Sequence, residues 1–579
     1  MTRRRGRRRA AARAVLAGLV VAGLLAGCST VPDSSPTVQI TQVANAPDTP
    51  VGIEPLPPER GATPEEVVRG FIDASASTAR NHPVARQYLA ADAARSWSDS
   101  DGVTVIGASY STRQTASGVV ELSAPLVGTV DERGVFSVGD GGLFTRTFTL
   151  SDDSGQWRVT DPLDGLLMLQ PDFARTYDAV NAYFLDPTSA RVVPDPRYLV
   201  SGEAQPNALV ERLIAGPSTA ISAGVVNPLS KAALRSTVSL AGTTARVDLT
   251  FPEGTTAASL NGVCAQVVWS LDGLGFRSVE LLRDGQPLGL PGVPEVQSVD
   301  DWAGPDPDTA PVDAAGHYLV GGALHRVTDG GPTPGPAGTG AYGLTSAAVS
   351  ADGRTGAPGL TVGVTTAGAT ATLLAGPYGG DLAPVLTGGT FTAPTTAGTR
   401  PEVWTVRDGT EVVRLPAGGR PQTVNATTLG GLGRASTFQL SPDGVRAAVV
   451  IDTAEGGELY VGAVVRADDT VSVRDLRSVA PSVHRVVDVA WRNSGLLMLL
   501  AGDPSTERTV PYTVGVDGWA LTTVTMAGLP GEPTALAATP SRQPLVTADG
   551  TLWLLSGGNW VTLLRGEQPV AGTAPFYPL

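Results

Sequence analysis

The sequence predicts a multidomain chain, with α+β units in its first half and an all-β repeat domain in its second. Three observations predict this. At 579 residues with 42% hydrophobic content, the chain is longer than one core can serve and has apolar material for several. Up to Ala303, helix signals with one apolar face alternate with strand-like runs. From Gly304 onward the helical signals stop, and short β-type runs recur between Gly, Pro and Asp turns. The 70 glycines and 46 prolines, against 5% aromatic residues, fit many turns and small-residue strands.

The chain opens with seven arginines in Met1–Gly27, followed by the apolar run Ala14–Gly27, too short to span a bilayer, which takes about 20 residues. This is the pattern of a signal peptide over 1–27. Leu25-Ala26-Gly27-Cys28 at its end reads as a bacterial lipoprotein cleavage site, so Cys28 is expected to become the acylated first residue, as an N-palmitoyl, S-diacylglycerol cysteine. The protein is then lipid-anchored on the extracytoplasmic face of the cell membrane. Removing seven of the 41 basic residues leaves 34 against 55 acidic, a balance of −21. That charge excludes nucleic acid as a partner and disfavours lying flat on anionic lipid. Residues 28–61, rich in Pro, Ser, Thr and Asp, read as a tether.

The first unit spans 62–165. Thr63-Pro64-Glu65-Glu66 combines a capping hydroxyl, proline at the first helical position and carboxylates at the positive end of the helix dipole. Val67, Val68, Phe71 and Ile72 follow at helical spacing, and a second helical pattern covers Val84–Trp97. Strand-like runs come next at Val103–Ile106, Gly118–Val127, Phe144–Leu150 and Trp157–Val159. Helices followed by a curved sheet resemble the nuclear-transport-factor-2-like cone fold. Enzymes of that fold carry a catalytic Asp or His in the cone, and the candidates here are Asp73 and His82; surface or turn roles are the simpler reading of both.

The second unit, 166–303, opens with Asn181–Asp186, which pairs across an Asp186-Pro187 turn with Arg191–Pro194. Asn207–Ile214 is an amphipathic helix stopped by Gly216-Pro217, Ala245–Leu249 alternates like a strand, Gln266–Leu271 lies on an apolar helix, and Val279–Leu282 ends in an Asp284-Gly285 turn. Five such pieces in this order resemble the GerMN domain of spore-germination proteins, which implies an α+β interaction domain at the cell envelope with no catalytic residues. Cys264, in an apolar run, is expected to be a buried inert thiol.

The third unit, 304–579, repeats a strand–turn–strand pattern at Ala348–Gly353, Gln439–Val449, Val489–Gly495 and Leu545–Leu554. Such repeats predict a β-propeller of roughly six blades at about 40 to 45 residues each. Asp352, Asp443 and Asp549 precede glycine and read as hairpin-turn residues, not metal ligands. Gly338–Gly343 matches a dinucleotide fingerprint as a string, but no strand precedes it and no helix follows. Asp99-Ser100-Asp101-Gly102 lacks the first ligand and the closing Glu of a calcium loop. His82, His317, His325 and His484 are scattered, with His317 and His325 expected on strands of a first blade; no metal or cofactor is expected. The sequon Asn425-Ala426-Thr427 carries no weight in a bacterial lipoprotein.

Lipoprotein signal, tether, cone-like unit, GerMN-like unit and propeller, in that order, resemble the LpqB lipoproteins of G+C-rich Gram-positive bacteria. The most telling stretch is Ala182–Thr188 followed by Val192–Tyr198. The resemblance implies a non-enzymatic accessory that binds the extracytoplasmic part of an MtrB-like sensor histidine kinase in a two-component system governing cell-wall homeostasis and division. An alternative is a module binding peptidoglycan or sugar in the cell wall, with exposed members among Trp302, Trp404, Trp491, Trp553 and Trp560 stacking on the ligand.

Overall fold

In the computed structural model the described residues are 55–579, apart from Ser189, Thr309, 311–314, 353–355, 468–469, Ser541 and 564–567. The signal peptide, Cys28 and the tether up to residue 54 lie outside them. Among the described residues no helix is long and apolar enough to cross a membrane.

The helix Pro64–Ser75 starts as its residues demand. Thr63 Oγ1 accepts from Glu66 N at 3.3 Å, and Glu66 Oε2 accepts in return from Thr63 N at 2.8 Å, closing a capping box. Its face of Val67, Val68, Phe71 and Ile72 is buried on a seven-stranded sheet whose spine is the long strand Val119–Val130. The first half of this strand pairs with Ser111–Ala116 and Leu143–Asp153, and its second half with Val103–Ile106 and Phe136–Val138. One strand thus serves two sets of partners and curves the sheet around the helix. The expected boundary at 165/166 falls inside this sheet, because Leu166–Leu169 pairs parallel with Val103–Ile106. Phe173, in the following helix Gln170–Thr176, is buried in the same core, so the first unit ends near Thr176.

In the second unit, nine-residue strands Tyr177–Leu185 and Val192–Val200 form a separate two-stranded ribbon. Asp186 shapes its turn, accepting from Arg191 N at 2.7 Å and Thr188 N at 3.0 Å. Beside it, Thr244–Thr250 pairs parallel with Ser278–Arg283, and the helix Ala257–Asp272 makes the crossover that parallel pairing requires. Cys264 on that helix is fully buried, and burial pushes its thiol up to about 11.

The third unit is a propeller, with six sheets among the described residues. Its innermost strands, Leu344–Ala351, Thr395–Ala397, Arg434–Leu440, His484–Asn493, Pro533–Ala537 and Thr573–Phe576, touch in sequence around a closed ring. Closure comes from Thr573–Phe576, which pairs with His317–Val320 and so completes the first blade with a strand from the other end of the domain. His317 and His325 lie on adjacent strands of that blade, as expected. Gly338–Gly343 is a turn that no helix follows.

Asp488 joins two blades, with Oδ1 accepting from Val489 N at 2.9 Å and Oδ2 from Leu536 N at 2.8 Å. Burial outweighs these two bonds and pushes the carboxyl up to about 7. A carboxyl raised in the folded state stabilises below its ordinary value near 4, and that contribution is lost as pH rises through about 7. We expect Asp488→Asn to shift stability by a constant amount plus a pH-dependent gain, on the order of 3–4 kcal/mol larger at pH ~7.5 than at pH ~4. Denaturant titrations of both proteins at the two pH values measure this; equal differences at both would disprove it.

Candidate functional site

Asp73 stands on the outer side of the helix Pro64–Ser75 and faces a groove of about 610 Å³ walled by Leu56, Arg69, Tyr88, Asp172 and Arg175. A Cβ on Gly70 would meet the Tyr88 ring at 2.5 Å, so glycine lets that ring lie across the helix. The Tyr88 hydroxyl donates to Leu56 O at 2.8 Å. Burial, with the Asp172 charge adding to it, holds Asp73 above the usual carboxylate range. Each of the two guanidinium groups here has a partner, Arg175 on Asp172 at 2.6 Å and Arg69 on Thr112 Oγ1 at 2.8 Å.

His82 does not join Asp73. Its Nδ1 lies 2.7 Å from Asp99 Oδ2, while Arg86 reaches Asp99 Oδ1 at 3.3 Å and lies over the Trp97 ring at 5.1 Å. Burial acts to raise Asp99, but the hydrogen bond and charge of His82 and the Arg86 charge hold it below the usual range. The triad braces a turn in which Asn81 and His82 take positive φ of 60° and 41°. The two candidates are thus separate, and His82 has a structural task in a turn.

A cluster of buried polar groups lies on the ribbon and the elements it meets. The outward edge of Val192–Val200 donates Val192 N to Pro305 O at 2.8 Å and Tyr198 N to Gly134 O at 2.8 Å. At the two positions of the same parity between them stand Pro194 and Pro196, which have no N–H to leave unpaired. Pro194 O accepts from Arg446 of the propeller. This edge therefore belongs to three neighbours at once: the first unit, the connector 303–308 and the propeller.

Side chains complete the junction. Arg197 is fully buried, 2.8 Å from Asp195 Oδ2, and donates to Pro196 O at 2.9 Å. Burial alone would raise Asp195, but the Arg197 charge, its hydrogen bond and the Ser218 N–H hold it below the usual range. Asp443 shapes its turn as expected, accepting from Val445 N at 2.9 Å, yet it is also buried 3.6 Å from Arg446, and burial raises its carboxyl. Asp549 is a plain turn residue, with Asp549 and Gly550 at φ of 48° and 68°. Tyr198 donates to Asp517 Oδ2 of the propeller at 2.9 Å. Trp519 packs at ring-centroid distances of 5.1, 5.2 and 5.6 Å from Phe136, Phe173 and Tyr198, so an aromatic cluster spans all three units. The Asn493–Gly495 turn is sewn to the connector, with Ser494 N on Asp308 Oδ1 at 2.7 Å and Ser494 Oγ on Pro307 O at 2.8 Å. From the first unit, Arg133 donates to Ala215 O and Gly216 O, the carbonyl end of the helix Gln205–Ala215, where a cation also answers the helix dipole.

Three of the tryptophans considered for sugar stacking are inside. Trp404 has 0% exposure, and Trp491 and Trp560 donate their indole N–H to Gln439 O and Thr525 O at 3.1 and 2.7 Å. Trp302 and Trp553 are half-buried. Among the described residues no group of three or more His, Cys, Asp or Glu could hold a metal ion.

Comparison with known proteins follows the same partition. Residues 57–174 match the family described as the N-terminal domain of lipoprotein LpqB, residues 181–289 the family described as sporulation and spore germination, and residues 322–578 the LpqB beta-propeller domain. The first match ends close to where the first sheet and its last helix end. A lipoprotein LpqB of Mycolicibacterium smegmatis is 32% identical over 87% of this chain and 88% of its own length. Those of Mycobacterium tuberculosis and Cutibacterium acnes are 31% and 29% identical, over 92% and 97% of this chain and 93% and 99% of theirs. None of these descriptions names a catalytic activity. With three domain matches in the order of the folded units and relatives aligned over most of their length, the chain belongs to the LpqB lipoprotein family.

Proposed function

We propose that this protein is held at the extracytoplasmic face of the cell membrane by an acylated Cys28 and binds the extracytoplasmic domain of an MtrB-like sensor histidine kinase, modulating signalling in envelope and division control. One observation carries the reading: the ribbon uses its buried polar groups, Asp195 and Arg197 foremost, in joining three units. Those groups build a scaffold that presents its outer faces to a partner. The acidic balance of the mature chain suits a partner with a basic patch and gives an association that weakens with salt.

Purified full-length protein in detergent, mixed with the kinase's extracytoplasmic domain, should co-elute, with affinity falling about tenfold or more between low salt and ~0.5 M. Failure to bind at high micromolar concentration and low salt refutes the proposal.

A further inference from the structure

Between the first and second units lies a cleft of about 300 Å³, lined by Val103, Val130, Tyr198, Leu199, Tyr177 and Arg212 among others. Its floor is largely apolar and buried: Val103, Val130, Tyr198 and Leu199 are 6% exposed or less. Arg212 enters from the helix Gln205–Ala215. Among the described residues its guanidinium has no ion pair and no hydrogen bond, and its Nε is buried without a partner. A buried donor left unpaired is costly, so a ligand that supplies the acceptor recovers that cost.

Tyr177 supplies a second donor. Burial and the Asp99 charge push its hydroxyl up to about 12, so it keeps its proton at any physiological pH. The mouth has the opposite sign. Glu132 is exposed, and Asp131 uses only Oδ1 in its own turn, accepting from Arg133 N at 2.9 Å and Val135 N at 2.8 Å. Asp99, also on the wall, is engaged by His82 and Arg86. Val200, 42% exposed, adds an apolar rim.

A carboxylate suits Arg212, whose planar fork matches it in two-point contact. An ammonium suits the acidic mouth, and a small apolar body suits the floor. The volume lies at the lower end for ligand sites. We propose that this cleft binds a free amino acid or a peptide of two or so residues with both termini charged, its carboxylate on Arg212 and Tyr177 and its ammonium towards Asp131 and Glu132. The proposal is independent of the kinase reading.

Calorimetric titration of the full chain in detergent with alanyl-alanine, in the L,L and D,D forms, tests it. Saturable binding is expected with at least one of them, with Kd of about 1 mM or tighter. Amidating the peptide's carboxylate should weaken binding about tenfold or more, and so should Arg212→Gln, while N-acetylation and Glu132→Gln should weaken it by smaller factors. The amidated peptide probes the Arg212 contact on the unmutated chain, so the test stands whether or not the variant folds. No saturable heat with either dipeptide up to about 10 mM, or equal binding of the amide, overturns the proposal.

Discussion

Arg197→Ala is expected to lower the unfolding free energy by about 3–5 kcal/mol, the loss typical when one partner of a buried ion pair is removed. The guanidinium is wholly enclosed, and Asp195 beside it is 3% exposed. Without Arg197, Asp195 keeps, among the described residues, the hydrogen bonds of Ser218, whose N and Oγ donate at 2.6 and 2.8 Å, and the charge of Arg446, and must either hold a poorly compensated charge away from water or take up a proton. Pro196 O loses its donor as well, and Gly216 O keeps only Arg133. The expected signature is a lower denaturant midpoint whose deficit shrinks in acid, where Asp195 protonates. The double variant Asp195→Asn, Arg197→Met should recover most of the loss, because removing both charges removes the desolvation problem. Trp519 fluorescence is expected to move with the same transition, since that ring packs on Tyr198, the residue after Arg197. A loss under about 1 kcal/mol, or a Trp519 transition that ignores the variant, disproves the role given to the ribbon.

Much of the architecture is legible from short-range signals. Thr63-Pro64-Glu65-Glu66 marks a helix start from local chemistry alone, and Asp549-Gly550 marks a hairpin turn for the same reason. The strand Leu166–Leu169 is misplaced by a reading along the chain, because its partner, Val103–Ile106, is some sixty residues away and only pairing reveals the sheet to which it belongs. The junction is illegible for a related reason. Pro194-Asp195-Pro196-Arg197 reads as a polar, proline-broken end to a strand, yet the stretch Val192–Leu199 is buried almost throughout. Its charges satisfy one another, and its prolines spare an edge that a third domain covers. The one signal available was the pairing of opposite charges two residues apart inside an otherwise apolar run. Asp443 is legible as a turn residue, but its buried ion pair with Arg446 is not, since an Asp-Gly turn and a buried ion pair share one residue.

Cys28→Ala is expected to move the protein from the membrane to the soluble fraction while leaving the folded units unchanged. Cys28 lies outside the described residues, so the expectation rests on the leader sequence and on the family. Its regulatory effect should be far larger than its effect on binding in solution. Two molecules confined to one membrane surface meet at an effective concentration on the order of millimolar. A contact with Kd of about 100 μM is then about nine-tenths occupied, whereas at about 1 μM free protein the same contact is occupied about one time in a hundred. Fractionation and a reporter of kinase output, read in wild type and variant, measure the two effects separately. A variant that stays in the membrane and regulates fully contradicts both the acylation of Cys28 and the confinement argument.

The pairing of Thr573–Phe576 with His317–Val320 has a kinetic meaning. Delivered from its N-terminal end, the first blade waits for the strand that completes it until the rest of the propeller has emerged. Throughout that interval one edge of His317–Val320 is unpaired, and an open strand edge is a template for another chain. The last blade to finish is therefore the first one begun, and the nascent protein is most exposed to aggregation just before its final strand arrives. Shortening the chain by that one strand should harm the yield of folded protein more than removing a comparable length from any surface loop.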